Sequence, residues 1–572
     1  MILDIGVVLI YLAGMLLLGW YGMRRAKTQE DFLVAGRNLG PSLYMGTMAA
    51  TVLGGASTVG TVRLGYVYGI SGFWLCAALG LGIMVLNLVL AKPLLKLRIY
   101  TVTQVLERRF TANTKHVSAL VMMAYALMLA ATSVIAIGTV MQVLFGLPFW
   151  VSVVVGGGVV ALYSAVGGMW SLTLTDIVQF VIKTVGLMFI LLPICLMRVG
   201  GWDELVARLP AASFDMAAIG WSTIITYFVI YFLGILIGQE IWQRVFTART
   251  TRVAQVAGTV AGLYCIVYGL VGALIGMTAK VLLPDLDNVN NAFAAIVQAS
   301  LPDGIRGLVI AAALAAMMST ASAAMLATST VLTEDLLPAL RGGRAFTDVR
   351  LNRLITLLAG VSALGIALVV DDVLSALTCA YNLLVGGMLV PLLGAIYWRR
   401  ATTAGAIASM LLGCFTAIGF MLKDGLAANT PVYAALAASA ISFIAISLLG
   451  RAEAARAYRD APAPQRHREA PAPQRHRDAP ARPAGAEGTR RHQPSPHPSL
   501  TGDQHDLHPR QARGLARPLW RRQRSADSRP AFQRRGRQHH RRQRHAQRAL
   551  RGHAHADGCA RTPDRLERAR LR

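Results

Sequence analysis

The sequence predicts an all-α polytopic membrane protein. It expects an inverted repeat of two five-helix units within about thirteen transmembrane helices, followed by a disordered tail. Three observations carry that expectation. Apolar runs long enough to cross a bilayer recur through residues 1–450, cations fall on every second connection between them, and two runs five apart are interrupted by glycines and polar residues. Of the 572 residues 55% are hydrophobic, and the mean hydropathy is +0.50. That composition belongs to membrane proteins before any motif is considered.

The net charge of +27 divides unevenly along the chain. Residues 1–450 carry 26 Lys and Arg against 18 Asp and Glu, whereas residues 451–572 carry 30 Arg, no Lys and 11 acids. Cys76, Cys195, Cys265, Cys379, Cys414 and Cys559 show no paired spacing, so neither a disulfide framework nor a metal cluster is expected.

A helical crossing needs roughly 20 apolar residues. On that measure the candidate spans lie at 3–22, 43–70, 73–97, 117–145, 149–167, 172–198, 219–240, 256–283, 305–334, 352–370, 373–398, 403–422 and 432–450. Span 1 has no cationic leader and no small-residue cleavage site, so it is expected to be retained as a helix. Arg24, Arg25 and Lys27 follow it, and Lys92, Lys96, Arg98, Arg108 and Arg109 gather at the end of span 3. Arg244, Arg249 and Arg252 follow span 7, Arg341, Arg344, Arg350 and Arg353 span 9, and Arg399 and Arg400 span 11. The intervening turns are short or acidic, such as Asp285 and Asp287, or Asp371 and Asp372. Cations on alternate connections put the N-terminus outside and residue 451 inside, as in a bacterial-type cytoplasmic membrane.

Span 2 holds Thr51-Val-Leu-Gly54-Gly55-Ala-Ser57-Thr58-Val-Gly60, and span 7 holds Tyr231-Phe-Leu-Gly234-Ile-Leu-Ile-Gly238-Gln239-Glu240. Each begins a five-span unit, 43–198 and 219–398. Five is odd, so the second unit enters the membrane from the opposite side. Paired interrupted spans of this kind mark the midplane site of a secondary transporter, because unwound backbone frees carbonyls for a cation and N–H groups for a substrate. The other reading is that glycines are simply common in membrane helices.

Span 9 threads Ser319, Thr320, Ser322, Thr328, Ser329, Thr330 and Thr333 through apolar sequence. In hydrocarbon such side chains face the protein or a wet cavity, and hydroxyl oxygens are hard, neutral ligands for an alkali cation. Alternatively, they permit close helix packing and bond back to their own helix.

Several segments together resemble the sodium:solute symporter family of sodium-coupled sugar, proline and pantothenate carriers. They are Asp31-Phe-Leu-Val-Ala-Gly36-Arg37 after span 1, and Gly60 with Gly65-Tyr66 closing span 2. Tyr163-Ser-Ala-Val-Gly167-Gly168 with Thr175-Asp176-Ile-Val-Gln179, then Gln239-Glu-Ile-Trp242-Gln243-Arg244 with Ala248-Arg249, continue the series. Ala315-Ala316-Met-Met-Ser319-Thr320-Ala-Ser322, ending in Thr333-Glu-Asp335, completes it. The resemblance covers residues 1–450 and implies a LeuT-like fold. It implies a sodium ion between spans 2 and 9, held by the carbonyls of Ala50, Leu53 and Ala316 and the hydroxyls of Ser319 and Thr320. Five neutral oxygens would release the ion more readily than a carboxylate, whose attraction the low dielectric amplifies.

Asp176 would be a waypoint on the ion's exit path, or else an interfacial acid capping a helix N-terminus. The family's substrate positions fall on Ser57, Tyr231 and Thr378. None has the strongly polar side chain that sugar carriers place there, which favours a carboxylate, amino acid or vitamin. Arg63 either attracts an anionic solute or snorkels outward or pairs with an acid. Lys183 and Lys280 read as structural.

The tail from 451 to 572 is of another composition. Residues 461–572 contain no Lys, Ile, Val or Met, eleven of the twelve histidines lie in the tail, and Ala461–Glu469 recurs as Ala470–Asp478. Such sequence cannot offset its ordering entropy by burial and is expected to be disordered. Binding of anionic lipid, nucleic acid or metal would be its functional readings. Out-of-frame translation of a GC-rich gene explains the same bias, so no nucleic-acid partner is expected.

The expected function is a sodium-coupled symporter importing a small organic solute by alternating access. A solute-sensing module and a proton-coupled carrier of the same fold, using Asp176 or Glu240, are the alternatives. No nucleophile–base pair, P-loop or metal motif points to an enzyme. Sodium, the solute and membrane lipid are the expected partners, and the sequence does not give the oligomeric state.

Overall fold

The computed structural model describes residues 2–340, 348–370 and 372–450. The tail, with every expectation placed on it, lies outside the described residues, as do Arg341 and Arg344. Among the described residues the chain is helical throughout, with no strand. Ten helices are long and apolar enough to cross a membrane, or eleven if the bent pair Trp221–Ile235 and Gln239–Val245 is one span. Thirteen crossings result if the two longest runs, Ala56–Leu97 and Phe149–Val199, are each divided at their non-helical break. A straight helix of 51 residues would be about 75 Å long, more than twice the hydrocarbon thickness, so division is a physical necessity.

The division of Phe149–Val199 falls at Gly168, with φ 55° and ψ −142°. A Cβ there would strike the carbonyl and ring of Phe32, so the glycine is needed for conformation and for space. Phe32 belongs to the entry loop, where the short helix Gln29–Val34 carries a capping box between Thr28 and Asp31. Arg37 anchors that loop through Glu30 (2.9 Å) and the Ile99 carbonyl (2.9 Å).

Both interrupted spans are broken. The first runs as Pro41–Val52, loses helical hydrogen bonding at residues 53–54, and resumes through a π-helical turn, Ala56–Gly60, into Thr61–Tyr68. The second bends by 49° between Trp221–Ile235 and Gln239–Val245. Leu39, just before the first, pairs with the segment after the second, its N–H bonding the Thr247 carbonyl (2.9 Å) and its carbonyl accepting from Arg249 N–H (3.1 Å).

Ile305–Val331 is buried almost end to end, which makes it the central post of the bundle. Apolar side chains such as Leu9, Ile10, Val89, Phe189 and Phe415 are exposed, the composition a lipid-facing surface requires.

Candidate functional site

A helix that stops inside a protein leaves its last carbonyls without intrahelical donors. Pro41–Val52 stops at the bilayer-depth break, and every one of those carbonyls is answered from elsewhere. Val52 accepts from the Gly54 N–H (3.1 Å) and the Ser57 hydroxyl (2.9 Å). Thr51 accepts from the Thr320 hydroxyl (2.6 Å), and Ala50 from Ser319 (2.8 Å), which also bonds Ala316 (2.8 Å). Gly54 has no room for a Cβ, which would overlap the Thr320 side chain. The five residues expected to cage sodium are therefore together, and they join the first broken helix to Ile305–Val331.

The remaining demand is met by a residue that the sequence reading treated as structural. The Lys183 ammonium lies 3.5 Å from each of the carbonyls of Ala49, Ala50 and Leu53. Lys183 is fully buried, and the Tyr268 ring faces its nitrogen at 5.8 Å. No carboxylate lies within ion-pair distance of it among the described residues. An ammonium has three donors, and here three carbonyls at the negative end of a helix receive them. The charge nearest these carbonyls is thus one that the chain itself supplies. Two of the oxygens expected to hold sodium, those of Ala50 and Leu53, already face that ammonium, and a second positive charge among them would be repelled by it in a protein interior. The residues present do not fit sodium while Lys183 is among them.

The hydroxyl string of span 9 divides in two. Ser319 and Thr320 reach across to the first broken helix, whereas Thr328, Thr330 and Thr333 bond back to Ala324, Leu326 and Ser329. The back-bonding reading describes Thr328, Thr330 and Thr333, whereas Ser319 and Thr320 face the protein interior.

Asp176 is not a helix cap but lies within Phe149–Lys183. It is wholly buried and pairs with the equally buried Arg244 (3.3 Å), while the Thr47 hydroxyl donates to the same carboxylate oxygen. Arg244, counted in the sequence among the cytoplasmic surface cations, is thus an interior residue. Asp176 Oδ1 and Arg244 Nε and Nη1 have no partner among the described residues. Gln239, Gln243 and Asp335 act as latches: Gln239 bonds Val102 N–H and the Tyr100 carbonyl, Gln243 the Leu33 carbonyl, and Asp335 accepts from Thr101 and Thr103.

Beside the first break lies a small pocket, lined among others by Gly55, Ser57, Ser133, Glu240, Thr320 and Tyr381. Glu240 comes from the second break. Its Oε1 accepts from the Tyr125 hydroxyl (2.8 Å), and its Oε2 is buried without a partner among the described residues, as is the Ser133 hydroxyl. Of the expected substrate residues, only Ser57 lines this cavity, and its hydroxyl caps Val52. Tyr231 and Thr378 bond each other (3.1 Å) and line a separate open cleft of about 830 Å³ with Arg63. Arg63 is paired with Asp372 (3.1 Å) across that cleft. The substrate expectation thus splits between an inner cavity and an outer vestibule. Glu240, Ser133 and Lys183 are the site residues that it missed.

Comparison with known proteins places these features in a wider set. The model of the sodium:solute symporter family matches residues 32–413. The osmoregulated proline transporter OpuE of Bacillus subtilis (strain 168) is 27% identical over 478 residues, 79% of this chain and 95% of its own length. The sodium/proline symporter of Staphylococcus aureus (strain JH9) is 25% identical over 434 residues, 72% of this chain and 84% of its own. Among solved structures, a substrate-bound, outward-open Na+-coupled sialic acid symporter superposes with a TM-score of 0.67 at 20% identity, covering 79% of this chain and 98% of that one. At that identity the likeness speaks for the fold, a LeuT-like bundle.

Proposed function

The chain belongs to the sodium:solute symporter family, and on that premise we propose that it is a secondary carrier importing a small zwitterionic solute, an amino acid before a sugar, by alternating access. The observation that carries the solute class is Glu240 Oε2, a buried carboxylate oxygen without a partner on the wall of the inner cavity. A solute's ammonium group would satisfy it. Opposite, the helix resuming after Leu53–Gly55 offers a positive end, where a solute carboxylate is favoured. Proline, the solute named for two relatives, carries both groups.

In this reading residues 43–198 and 219–398 are the two inverted units, with the N-terminus outside and residue 450 on the cytoplasmic side. Tyr231, Thr378 and the Arg63–Asp372 pair belong to the outer approach, and Asp176 with Arg244 to the inner one. Closing and opening require the solute to bind the two states with different affinity, which a cavity shared by both breaks allows. Sodium, the family's ion, would call on Ala50, Leu53, Ala316, Ser319 and Thr320, where Lys183 already stands.

Uptake of radiolabelled proline into proteoliposomes, competed by a panel of amino acids, carboxylates, sugars and vitamins, tests the reading. Zwitterionic amino acids should compete, and Glu240→Gln should raise the KM at least about tenfold, the loss of one charge-assisted bond. Competition confined to sugars or to simple carboxylates would end it.

A further inference from the structure

We propose that the Lys183 ammonium is the resident cation of the cage at the first break, so that sodium does not bind there and the carrier's cycle takes no sodium through this site. The inference rests on the cage described above and on family membership, not on the identity of the solute.

The argument is one of donors, charge and space. Ala49, Ala50 and Leu53 present three carbonyls that the broken helix cannot satisfy itself, and Lys183 supplies three N–H donors at 3.5 Å to each. Its own burial is complete, so those carbonyls and the Tyr268 face are what replace its hydration. Two of the three carbonyls, Ala50 and Leu53, are the oxygens a sodium ion would require. One positive charge already faces those oxygens, and a second among them would be repelled by it.

The lysine also arrives from a helix that neither Ser319 nor Thr320 belongs to. Phe149–Lys183 ends on this residue and widens at once into the π-helical turn Thr184–Leu191. That turn contains Thr184, whose hydroxyl sits 2.6 Å from the Tyr264 hydroxyl. A free ion would join two helices and leave in each cycle. The tethered ammonium bonds its own helix to the first broken span and stays.

Equilibrium binding of radiolabelled sodium to the purified full-length protein in detergent decides the matter. The wild type should show no saturable sodium binding. Lys183→Ala should open the cage and bind sodium saturably, and adding Ser319→Ala should abolish it. Lys183→Met, which keeps the volume, is the second variant should the alanine fail to fold. Saturable binding by the wild type that Ser319→Ala removes overturns the proposal. So does a wild type and a folded lysine variant that are equally unable to bind sodium, since the cage would then hold no cation of either kind. Solute uptake is not read in this experiment. A failure here leaves the carrier reading standing, and a protein that moved no amino acid would leave the binding result intact.

Discussion

At Leu53–Gly55 and at Leu236–Gly238 the same backbone device is finished in two different ways. The first break exposes carbonyls that no neutral donor fully answers, and a lysine from another helix completes them. The second is closed locally: Ile237 N–H returns to the Gly234 carbonyl (3.0 Å), and the Trp242 indole donates to the Leu236 carbonyl (2.8 Å) from the helix that follows. A broken helix is therefore not in itself a cation site. It becomes one where the free carbonyls converge and uncharged donors leave some of them, here Ala49 and Leu53, to a charged one. What the second break contributes is an anion, Glu240, turned to the same cavity. Asp176 holds the halves in register, taking Thr47 from the first broken helix and Arg244 from the second.

That contrast can be broken at defined points. The largest effect is expected at the link between the breaks. Arg244→Ala leaves Asp176 buried without its counter-charge and should cost about 3–5 kcal/mol, read as a lowered unfolding midpoint of the purified protein. Pairing it with Asp176→Asn should recover most of that loss, and equal destabilisation of the single and double variants would refute the link. Next, Trp242→Phe keeps the ring but orphans the Leu236 carbonyl. It should cost about 1–3 kcal/mol and leave sodium binding untouched, because no cation is held at the second break. Sodium binding created by that substitution would erase the distinction drawn here.

Ser57→Ala removes one of two donors to Val52, whose carbonyl keeps the Gly54 N–H. A loss of about 0.5–1.5 kcal/mol is expected, with little change in solute affinity if the hydroxyl serves the backbone and not the solute. The smallest effect belongs to the outer pair. Arg63 and Asp372 are 30% and 27% exposed, so Arg63→Gln should change stability by about 1 kcal/mol or less. Its transport effect should fall on the rate of solute entry, measured by initial uptake at low solute.

Much of this was legible in the sequence. The apolar runs, the alternating cations and the glycines at 54, 55, 234 and 238 foretell a helical bundle with two breaks, because helix length and backbone freedom are local properties. Ser319 and Thr320 were readable as the pair facing span 2. Of the remaining hydroxyls Thr328, Thr330 and Thr333 bond to their own helix and Ser329 to the Asn352 carbonyl, and only packing separates these fates. Lys183 was the principal loss. Asp176, Gln179 and Lys183 recur at spacings of three and four, one polar face on an otherwise apolar helix. All three are fully buried. That stripe was a usable sign that the lysine points inward, but which carbonyls it would meet depends on contacts more than 130 residues away in sequence. Tyr231, Thr378 and Arg63 line a cleft apart from the Ser57 cavity, and family position does not report that each already bonds a neighbouring side chain.

The central claim is that the first break is the molecule's cation site and that its cation is covalently tethered. A cryo-electron microscopy map of the protein in lipid nanodiscs, prepared in sodium chloride, tests it most directly. The account predicts continuous density from the Lys183 side chain into the triangle of the Ala49, Ala50 and Leu53 carbonyls. A lysine turned away, with a separate peak coordinated by Ala50, Leu53, Ala316, Ser319 and Thr320, would contradict it.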